Sequence, residues 1–289
     1  MGYEIQKLLP DEIPPQLLEI PQPPKELWVA GTLPAPETVL LTVVGARKHS
    51  PYGREACEEI IAGLRGYDIA IVSGLALGID AIAHEAAMRT GLRTIAVPGS
   101  GLERSVLYPR ANVRLAEEII EHGGALLSEY EPTFHATNWS FPQRNRIMAG
   151  LAKATLIIEA EEKSGTLITS RLATDYNRDV FAVPGSIFSS LSRGPNKLIT
   201  LGATPISSSD DVLKALGFTP EEAEGSQMTL DFSNLSDDER EVMEALTSTK
   251  YREVLIEELE LPVSEGNILL MRMEIAGLIK ETPEGIRRM

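Results

Sequence analysis

Short apolar segments without alternating polar residues recur along the central part of this 289-residue chain, and segments with helical spacing separate them. A strand buried on both faces is apolar throughout, whereas a strand with one wet face alternates. The pattern therefore predicts a parallel sheet covered by helices on both faces. The predicted strands are residues 39–45, 68–73, 93–97, 125–129, 154–159 and 180–183, the predicted helices are 51–66, 78–90, 111–122, 145–151 and 165–177, and a short last unit is expected at 197–200 and 204–206.

The predicted fold class is α/β, with a Rossmann-like, doubly wound and mostly parallel sheet in a domain at residues 39–218. Residues 1–38 are rich in proline, which predicts an extended N-terminal arm with little helix of its own. Residues 219–235 are predicted to form a linker. A capping-box sequence, three helical patterns and a hairpin then predict a small C-terminal winged-helix domain at residues 236–289.

Charge is distributed unevenly along the chain. The formal net charge is −15, from 27 Lys and Arg against 42 Asp and Glu, which by itself argues against a nucleic-acid partner. Residues 40–218 are nearly neutral, however, with 18 basic and 19 acidic residues, whereas residues 231–289 have 7 basic and 14 acidic residues. The central domain can therefore present a basic face to a polyanion, and the C-terminal domain cannot easily do so.

Cysteine content and hydropathy restrict the class of protein further. The single cysteine, Cys57, excludes an internal disulfide framework and a cysteine-rich metal site. Apolar runs are too short to span a bilayer, and the N-terminal sequence does not resemble a signal peptide. We therefore expect a soluble cytoplasmic protein without membrane contact.

The ends of the predicted strands carry glycines together with basic, hydroxyl and amide side chains. A parallel sheet binds its ligand outside the carboxyl ends of the strands, and backbone N–H groups at helix N-termini favour anions. Arginine, asparagine and an aromatic residue together, as at 141–146, suit phosphate neutralisation and base stacking. The predicted phosphate- and nucleic-acid-binding residues are Gly45, Arg47, Ser73, Gly74, Leu75, Gly78, Arg104, Arg110, Asn112, Phe141, Arg144, Asn145, Arg146, Lys163, Ser164, Gly165, Thr166, Asn196 and Lys197.

Several of these residues also have a purely structural interpretation. Arg47 could equally be a solvated arginine at a tight turn, and Phe141 could equally be a core residue. Asp80 and His84 lie four apart on one helix face and could be an acid–base pair. We favour a structural role for Asp80, for His84 and for Glu159.

Sequence signatures of catalysis are not evident. The loop at 73–80 has neither the G-x-G-x-x-G spacing of a dinucleotide site nor the Gly-Lys-Ser/Thr of a Walker loop. The four histidines lack metal-ligand spacing, and neither a nucleophile elbow nor a carboxylate pair is present. The sequence therefore predicts no catalytic residue, no metal and no cofactor.

In their order along the chain, the strand-end motifs resemble those of the DNA-processing protein A family, called DprA or Smf. The resemblance covers about residues 25–216 and implies a Rossmann-like core that binds single-stranded DNA, forms homodimers and loads the RecA recombinase, notably in natural transformation. It places DNA-binding positions at Arg47, the loop 73–80, Arg110 and residues 144–146. The matching residues are 44–47, 52–53, 73–80, His84, 96–101, 108–109, Asn112, 128–130, 141–146, Glu159, 164–169, 182–185, Asn196 and 198–199.

The chain departs from the family pattern in two places. Leu77 stands where the family often has a basic residue, which removes one phosphate contact. Many family members have an N-terminal helical domain, where this chain has the proline-rich arm. The C-terminal domain resembles the family's variable C-terminal domain, and its third helix has Arg272 beside Glu265 and Glu274, so we expect it to bind protein rather than the DNA major groove.

An enzyme is the alternative function. Related Rossmann-like phosphoribohydrolases resemble this chain but have Gly-Gly-x-Gly-Thr-x-x-Glu at the fifth strand end. The corresponding residues here are 162–166 and Thr169, so the paired glycines and the catalytic glutamate are missing. We therefore expect a non-enzymatic mediator that binds single-stranded DNA, protects incoming DNA and loads RecA. The alternatives are a nucleotide-binding or phosphoribohydrolase-like enzyme and a nucleotide-sensing module.

Overall fold

The computed structural model of the chain describes residues 3–219, 236–246, 249–259, 261–282 and 285–288. The chain divides into two compact units, Met1–Pro220 and Glu221–Met289. Apart from Thr219, the predicted linker lies outside the described residues. Within the part that the structure describes, no helix has both the length and the apolar character needed to cross a membrane.

The first unit is built on a nine-stranded sheet in the order β1-β2-β6-β5-β4-β3-β7-β8-β9. Strands β3 to β9 run parallel to one another. At one edge, β2 runs antiparallel to β6, and β1 runs antiparallel to β2. The predicted mostly parallel α/β sheet is therefore confirmed. The strands are β1 (Ile5–Lys7), β2 (Trp28–Gly31), β3 (Val39–Val44), β4 (Ile69–Ser73), β5 (Arg93–Ala96), β6 (Ala125–Ser128), β7 (Ala154–Ile157), β8 (Asp179–Ala182) and β9 (Thr204–Pro205).

Helices cover both faces of this sheet. The helices are α1 (Pro15–Leu18), α2 (Pro51–Ala62), α3 (Ile79–Arg89), α4 (Val113–Glu121), α5 (Ser140–Leu151), α6 (Thr166–Asp175), α7 (Arg193–Thr200) and α8 (Ser209–Leu216). Side chains of β3 alternate between the two cores: Leu41 and Val43 pack with α2, α3 and α8, whereas Val44 packs with α1 and α5. Burial on both faces explains why the strands are apolar throughout.

The arm is integrated into the sheet, which its proline content did not predict. Strand β2 pairs with β6, with Trp28 opposite Ser128, and β1 pairs with β2. Leu17 and Leu27 between them are fully buried. Described residues of the arm therefore form one unit with the domain predicted at 39–218.

Helix α5 begins five residues before its predicted start at residue 145. Pro142 was interpreted as part of a loop, but it lies in the first turn, where a proline's missing N–H group has no helical partner to lose. As a consequence, Phe141 and Arg144 are helical residues.

The described residues of the second unit form three helices followed by a hairpin, in the order predicted for a winged helix. These elements are α9 (Asp237–Ala245), α10 (Arg252–Glu258), α11 (Val263–Ile275), β10 (Ile279–Thr282) and β11 (Gly285–Arg288). Ser236 and Glu239 form both bonds of the predicted capping box. Val242, Leu255 and Leu270 contribute to a separate hydrophobic core.

Candidate functional site

The carboxyl ends of the parallel strands open onto a cleft of about 670 Å³. Its walls come from the residues after β3, the loop before α3, the first half of α5 and the N-terminus of α6. A ligand was predicted at this edge of the sheet. The predicted site residues that line the cleft are Gly45, Arg47, Phe141, Arg144, Asn145, Ser164, Gly165 and Thr166, together with Asp80.

The residues after β3, 45–48, form what we call the open loop, because its basic side chains are exposed. Arg47 and Lys48 both face solvent at the cleft. The guanidinium carbon of Arg47 lies 5.7 Å from the ring centroid of Phe141, which is within cation–π distance. The ring of Phe141 lies 5.5 Å from that of Tyr108. Two cations and two aromatic rings are thus available at one end of the cleft.

Two glycines allow α3 to approach the open loop closely. A Cβ atom on Gly45 would lie 2.7 Å from Cγ1 of Ile79. Gly78 has φ +81°, and a Cβ atom there would collide with the carbonyl oxygens of Ala46 and Arg47. The N–H of Ile79 donates to the carbonyl of Ala46 at 3.2 Å. The start of α3 therefore fixes the backbone of the open loop.

The residues after β4, 74–80, form what we call the closed loop, because the chain itself satisfies its polar groups. The Oδ2 atom of Asp80 accepts hydrogen bonds from the N–H groups of Gly74, at 3.1 Å, and Ala76, at 3.4 Å. These amides were predicted to cradle a phosphate. The carboxylate of Asp80, which is only 6% exposed, occupies that position instead.

Asn112 supports the closed loop from the side. Its Nδ2 atom donates to the carbonyls of Leu75, at 2.9 Å, and Ala76, at 3.1 Å. Leu75 has φ +58°, a left-handed conformation that is uncommon for a residue with a side chain. Ser73 is also buried, and its hydroxyl donates to the carbonyl of Val43 at 2.6 Å. Ser73 and Asn112, which were predicted to bind a ligand, therefore stabilise the backbone at and after the end of β4 instead.

Arg144 is buried beneath the closed loop. Its Nη1 atom donates to the carbonyl of Gly74 at 2.6 Å and to the carbonyl of Val97, and its residue is 5% exposed. Burial lowers the pKa of Arg144 to about 10, while the nearby Asp80 opposes that shift. Burial likewise raises the pKa of Asp80, and Arg144 opposes it. The two charges stabilise each other inside the protein.

The N-terminus of α6 forms the other side of the cleft. The Oγ atom of Ser164 accepts from the N–H of Thr166 at 3.2 Å, and the Thr166 hydroxyl donates to the carbonyl of Gly45 at 3.1 Å. This bond connects α6 to the open loop. Gly165 and Lys163 are exposed at the same turn. A helix N-terminus beside the exposed Arg47, Lys48 and Lys163 favours an anion, and the exposed Glu161, which also lines the cleft, opposes it in part.

A family model described as DNA recombination-mediator protein A matches residues 6–217. The chain belongs to this family. It is 37% identical to protein Smf of Escherichia coli K12 over 281 residues, which cover 96% of this chain and 75% of that protein. It is 44% identical to DNA processing protein DprA of Streptococcus pneumoniae over 211 residues, which cover 73% of each.

Two solved structures of DNA processing protein A are similar to this family member. The protein from Streptococcus pneumoniae has a TM-score of 0.67 and 40% identity, over 76% of this chain and 75% of that chain. The protein from Helicobacter pylori has a TM-score of 0.65 and 29% identity, over 74% of this chain and 96% of that chain. The Helicobacter pylori structure concerns that protein's single-stranded DNA binding mode.

In this recombination-mediator family member, Arg146 is also committed to protein contacts. It forms an ion pair with Glu129 and donates to the carbonyl of Gln22 at 2.7 Å, which ties the arm to the end of β6. Its residue is 8% exposed. Of the predicted residues 144–146, Asn145 is the one that is not fully buried, and it lines the cleft.

Glu159 holds the N-terminus of α2. Its carboxylate accepts from the N–H of Ser50 at 2.9 Å and from the hydroxyl of Ser50 at 2.5 Å. That hydroxyl in turn accepts from the N–H of Gly53, which caps the helix. The carboxylate is buried and packs where a side chain on residue 53 would lie.

His84 is buried behind the closed loop and does not use Asp80 as its partner. Its Nδ1 atom lies 2.7 Å from the hydroxyl oxygen of Thr94, and that hydroxyl donates to the carbonyl of Ile71 at 2.9 Å. The Nδ1 atom must therefore carry the proton. Burial lowers the pKa of His84 to about 3, and Arg144 adds to that shift.

Like Arg146, the predicted Arg104 and Arg110 lie outside the residues that line the cleft. Arg104 forms an exposed ion pair with Glu117 at 2.6 Å. Arg110 donates from Nη1 to the carbonyl of Arg104 at 2.7 Å and remains exposed. Tyr108, between them in sequence, does line the cleft.

Two predicted residues near α7 are likewise outside the lining. Asn196 accepts from the N–H of Gly185 at 3.2 Å and donates to its carbonyl at 3.0 Å, so both ends of its amide are used. Lys197 forms an exposed ion pair with Glu162 at 3.2 Å. Asn196 therefore shapes a turn.

Lys48, Tyr108 and Asn138 are among the lining residues that were not predicted. Lys48 had a signal, because it follows Arg47 at a strand that ends in glycine. Tyr108 and Asn138 enter the cleft only because distant loops meet there, so local sequence carried little signal for them.

Proposed function

We propose that this protein binds single-stranded DNA in the cleft and acts there as a recombination mediator. The observation that supports this most is the open loop, where exposed Arg47 lies over the ring of Phe141. Cations that neutralise phosphates and rings that stack on bases are the two components of a sequence-tolerant single-strand site.

The cleft assigns these two tasks to different side chains. Arg47, Lys48 and Lys163 would contact phosphates. Phe141 would stack on a base, and the half-buried Asn145 would donate to a base or phosphate. Binding of this kind weakens with salt and depends little on sequence.

Fluorescence anisotropy with a labelled oligo-dT tests this proposal. We expect that the logarithm of the affinity falls linearly with the logarithm of salt concentration. We also expect weaker binding of a blunt duplex, because duplex bases are not available for stacking. Equal affinity for single strand and duplex, or no binding of oligo-dT at low salt, would contradict the proposal.

We further propose that the protein protects incoming DNA, loads RecA on it, as in natural transformation, and acts as a cytoplasmic homodimer. The description of the family as recombination mediators supports the RecA role. RecA assembly on single-stranded DNA, followed with and without the protein, measures it. We expect faster assembly with the wild type and not with Arg47→Ala; an unchanged rate with the wild type would contradict RecA loading.

We propose that binding involves no catalysis. Where the phosphoribohydrolase motif has its glutamate, this chain has Thr169, which is 1% exposed. Glu159, the buried carboxylate near this strand end, is bonded to Ser50. Purified protein incubated with nucleoside monophosphates is expected to release no free base in a chromatographic assay, and base release would instead favour the enzyme alternative.

A further inference from the structure

Trp139 is a large aromatic side chain that the fold leaves exposed beside the cleft. It is 55% exposed, although a tryptophan gains more from burial than almost any other side chain. It immediately precedes α5, next to Asn138 and two residues before Phe141, both of which line the cleft. A helix rises about 1.5 Å per residue, so the backbones of residues 139 and 141 lie at the same end of α5.

A cluster of aromatic rings holds Trp139 in place. Tyr130 and Phe134 stack with centroids 4.4 Å apart. Trp139 makes T-shaped contacts with both, at 5.9 Å and 5.8 Å. A T-shaped contact covers an edge of one ring and a face of the other. Because Trp139 is 55% exposed, part of its indole surface remains accessible to a ligand.

The loop that carries this cluster is anchored at several points to the residues after β5. The N–H of Gly101 donates to the carbonyl of Phe134 at 2.8 Å, and the N–H of Glu103 donates to the carbonyl of Pro132 at 3.0 Å. The hydroxyl of Ser140 donates to the carbonyl of Gly99 at 2.6 Å. Little conformational entropy would therefore be lost when a flat ligand stacks on Trp139.

We propose that Trp139 is a second stacking platform for single-stranded DNA, which receives a further base of the strand that stacks on Phe141. The inference rests on the proposed function of the cleft. Every base has a π-face, so an exposed and anchored indole beside phosphate-binding cations extends the site along the strand without adding sequence preference. Trp139 thereby lengthens the bound segment beyond the open loop.

Tryptophan fluorescence reports on this contact directly, because the chain has only two tryptophans, Trp28 and Trp139. In Trp28→Phe the remaining emission comes from Trp139, and we expect oligo-dT to quench it with the same Kd that anisotropy gives. In Trp139→Phe the remaining emission comes from Trp28 on strand β2, and we expect no quenching. Unchanged emission of Trp28→Phe at saturating DNA would overturn the inference.

Affinity measurements separate this inference from the proposed function. Trp139→Ala is expected to weaken oligo-dT binding on the order of tenfold, and Trp139→Phe, which keeps a ring, by less than about threefold. Trp28→Phe serves as the matched control and is expected to bind as the wild type does. Wild-type affinity of Trp139→Ala, with Arg47→Ala impaired, overturns the inference alone. Failure of the wild type to bind overturns both.

A protein contact is the competing use of this surface. Light scattering of Trp139→Ala should give the oligomeric state of the wild type. A changed oligomeric state with unchanged DNA affinity would show that Trp139 serves a protein contact and would overturn the inference. If Trp139→Ala fails to fold, the emission of Trp28→Phe still decides the question.

Discussion

The open loop and the closed loop follow neighbouring strands, β3 and β4, and each begins with a glycine. They differ in where their polar groups find partners. In the closed loop, Asp80, Asn112 and Arg144 satisfy the backbone from within the chain. In the open loop, Arg47 and Lys48 remain exposed at the cleft.

This difference shows that a glycine-rich strand end is not by itself an anion site. A carboxylate from the same chain can occupy the position that a phosphate would take, as Asp80 does at Gly74 and Ala76. Hydrogen bonds from within the chain hold the closed loop rigid, whereas the open loop leaves two cations exposed at the cleft. Substitutions in the closed loop should therefore change stability, and substitutions in the open loop should change binding.

The largest expected effect is on stability, from Arg144→Met. Loss of the guanidinium leaves the carboxylate of Asp80 buried without its compensating charge, and such a loss typically costs about 3–5 kcal/mol of the free energy of unfolding. Urea denaturation followed by circular dichroism measures it. Arg114→Ala, at an arginine whose side chain is 88% exposed, is the control and should change stability by less than about 0.5 kcal/mol.

A second substitution sharpens this test. Adding Asp80→Asn to Arg144→Met removes the unpaired charge, so part of the lost stability should return. If the single variant were as stable as the wild type, the closed loop would not depend on the buried charges.

A pH effect of about 2 kcal/mol is expected from His84. Its pKa of about 3 in the folded protein lies below the value of 6.5 for an unperturbed histidine. Between about pH 6.5 and pH 3, only the unfolded chain takes up this proton. The free energy of unfolding therefore keeps its full value above about pH 6.5 and decreases as the pH drops toward 3, by up to about 1.4 kcal/mol per pH unit. At about pH 5 the loss amounts to about 2 kcal/mol.

Urea denaturation near pH 7 and near pH 5 measures this dependence. His84→Gln should remove that part of the pH dependence, whatever its stability at neutral pH. The exposed His122 provides a matched control, since His122→Gln should retain the wild-type dependence. Identical pH dependence in His84→Gln and the wild type would contradict a neutral, buried His84.

A smaller loss of stability, about 1–2 kcal/mol, is expected for Asn112→Ala. The substitution removes two hydrogen bonds to the carbonyls of Leu75 and Ala76. Thermal and urea denaturation measure it. Asn138→Ala, at an exposed asparagine of the cleft, should leave stability unchanged; equal losses in the two variants would mean that Asn112 has no special role in the closed loop.

The parallel sheet was predictable because strands such as β4, with all five residues buried, have no polar alternation. The edge strands β1 and β2 were not, since β1 has three residues and prolines separate the two strands, so neither has a recognisable period. The start of α5 was missed because Pro142 resembles a helix breaker, although the first turn tolerates it.

The candidate site was only partly predictable for a related reason. Arg47 follows a glycine at a strand end and Arg144 follows an aromatic residue, and both local patterns predicted phosphate binding. What separates them is tertiary: Arg144 meets the carbonyls of Gly74 and Val97, which lie far away in sequence. Local patterns identify the carboxyl ends of the strands as the candidate site, but burial decides which arginine is available there.

The central claim is that the open loop binds DNA, and anisotropy titrations of a labelled oligo-dT with matched arginine variants test it most directly. Arg65 is an exposed arginine that follows α2 and precedes β4, so it lies at the amino ends of the parallel strands, away from the cleft at their carboxyl ends. We predict that Arg47→Ala raises Kd about tenfold and lowers the salt dependence by about 0.7 in log–log slope, at wild-type stability. Arg65→Ala should bind as the wild type does. Equal Kd values for Arg47→Ala and Arg65→Ala would contradict the account.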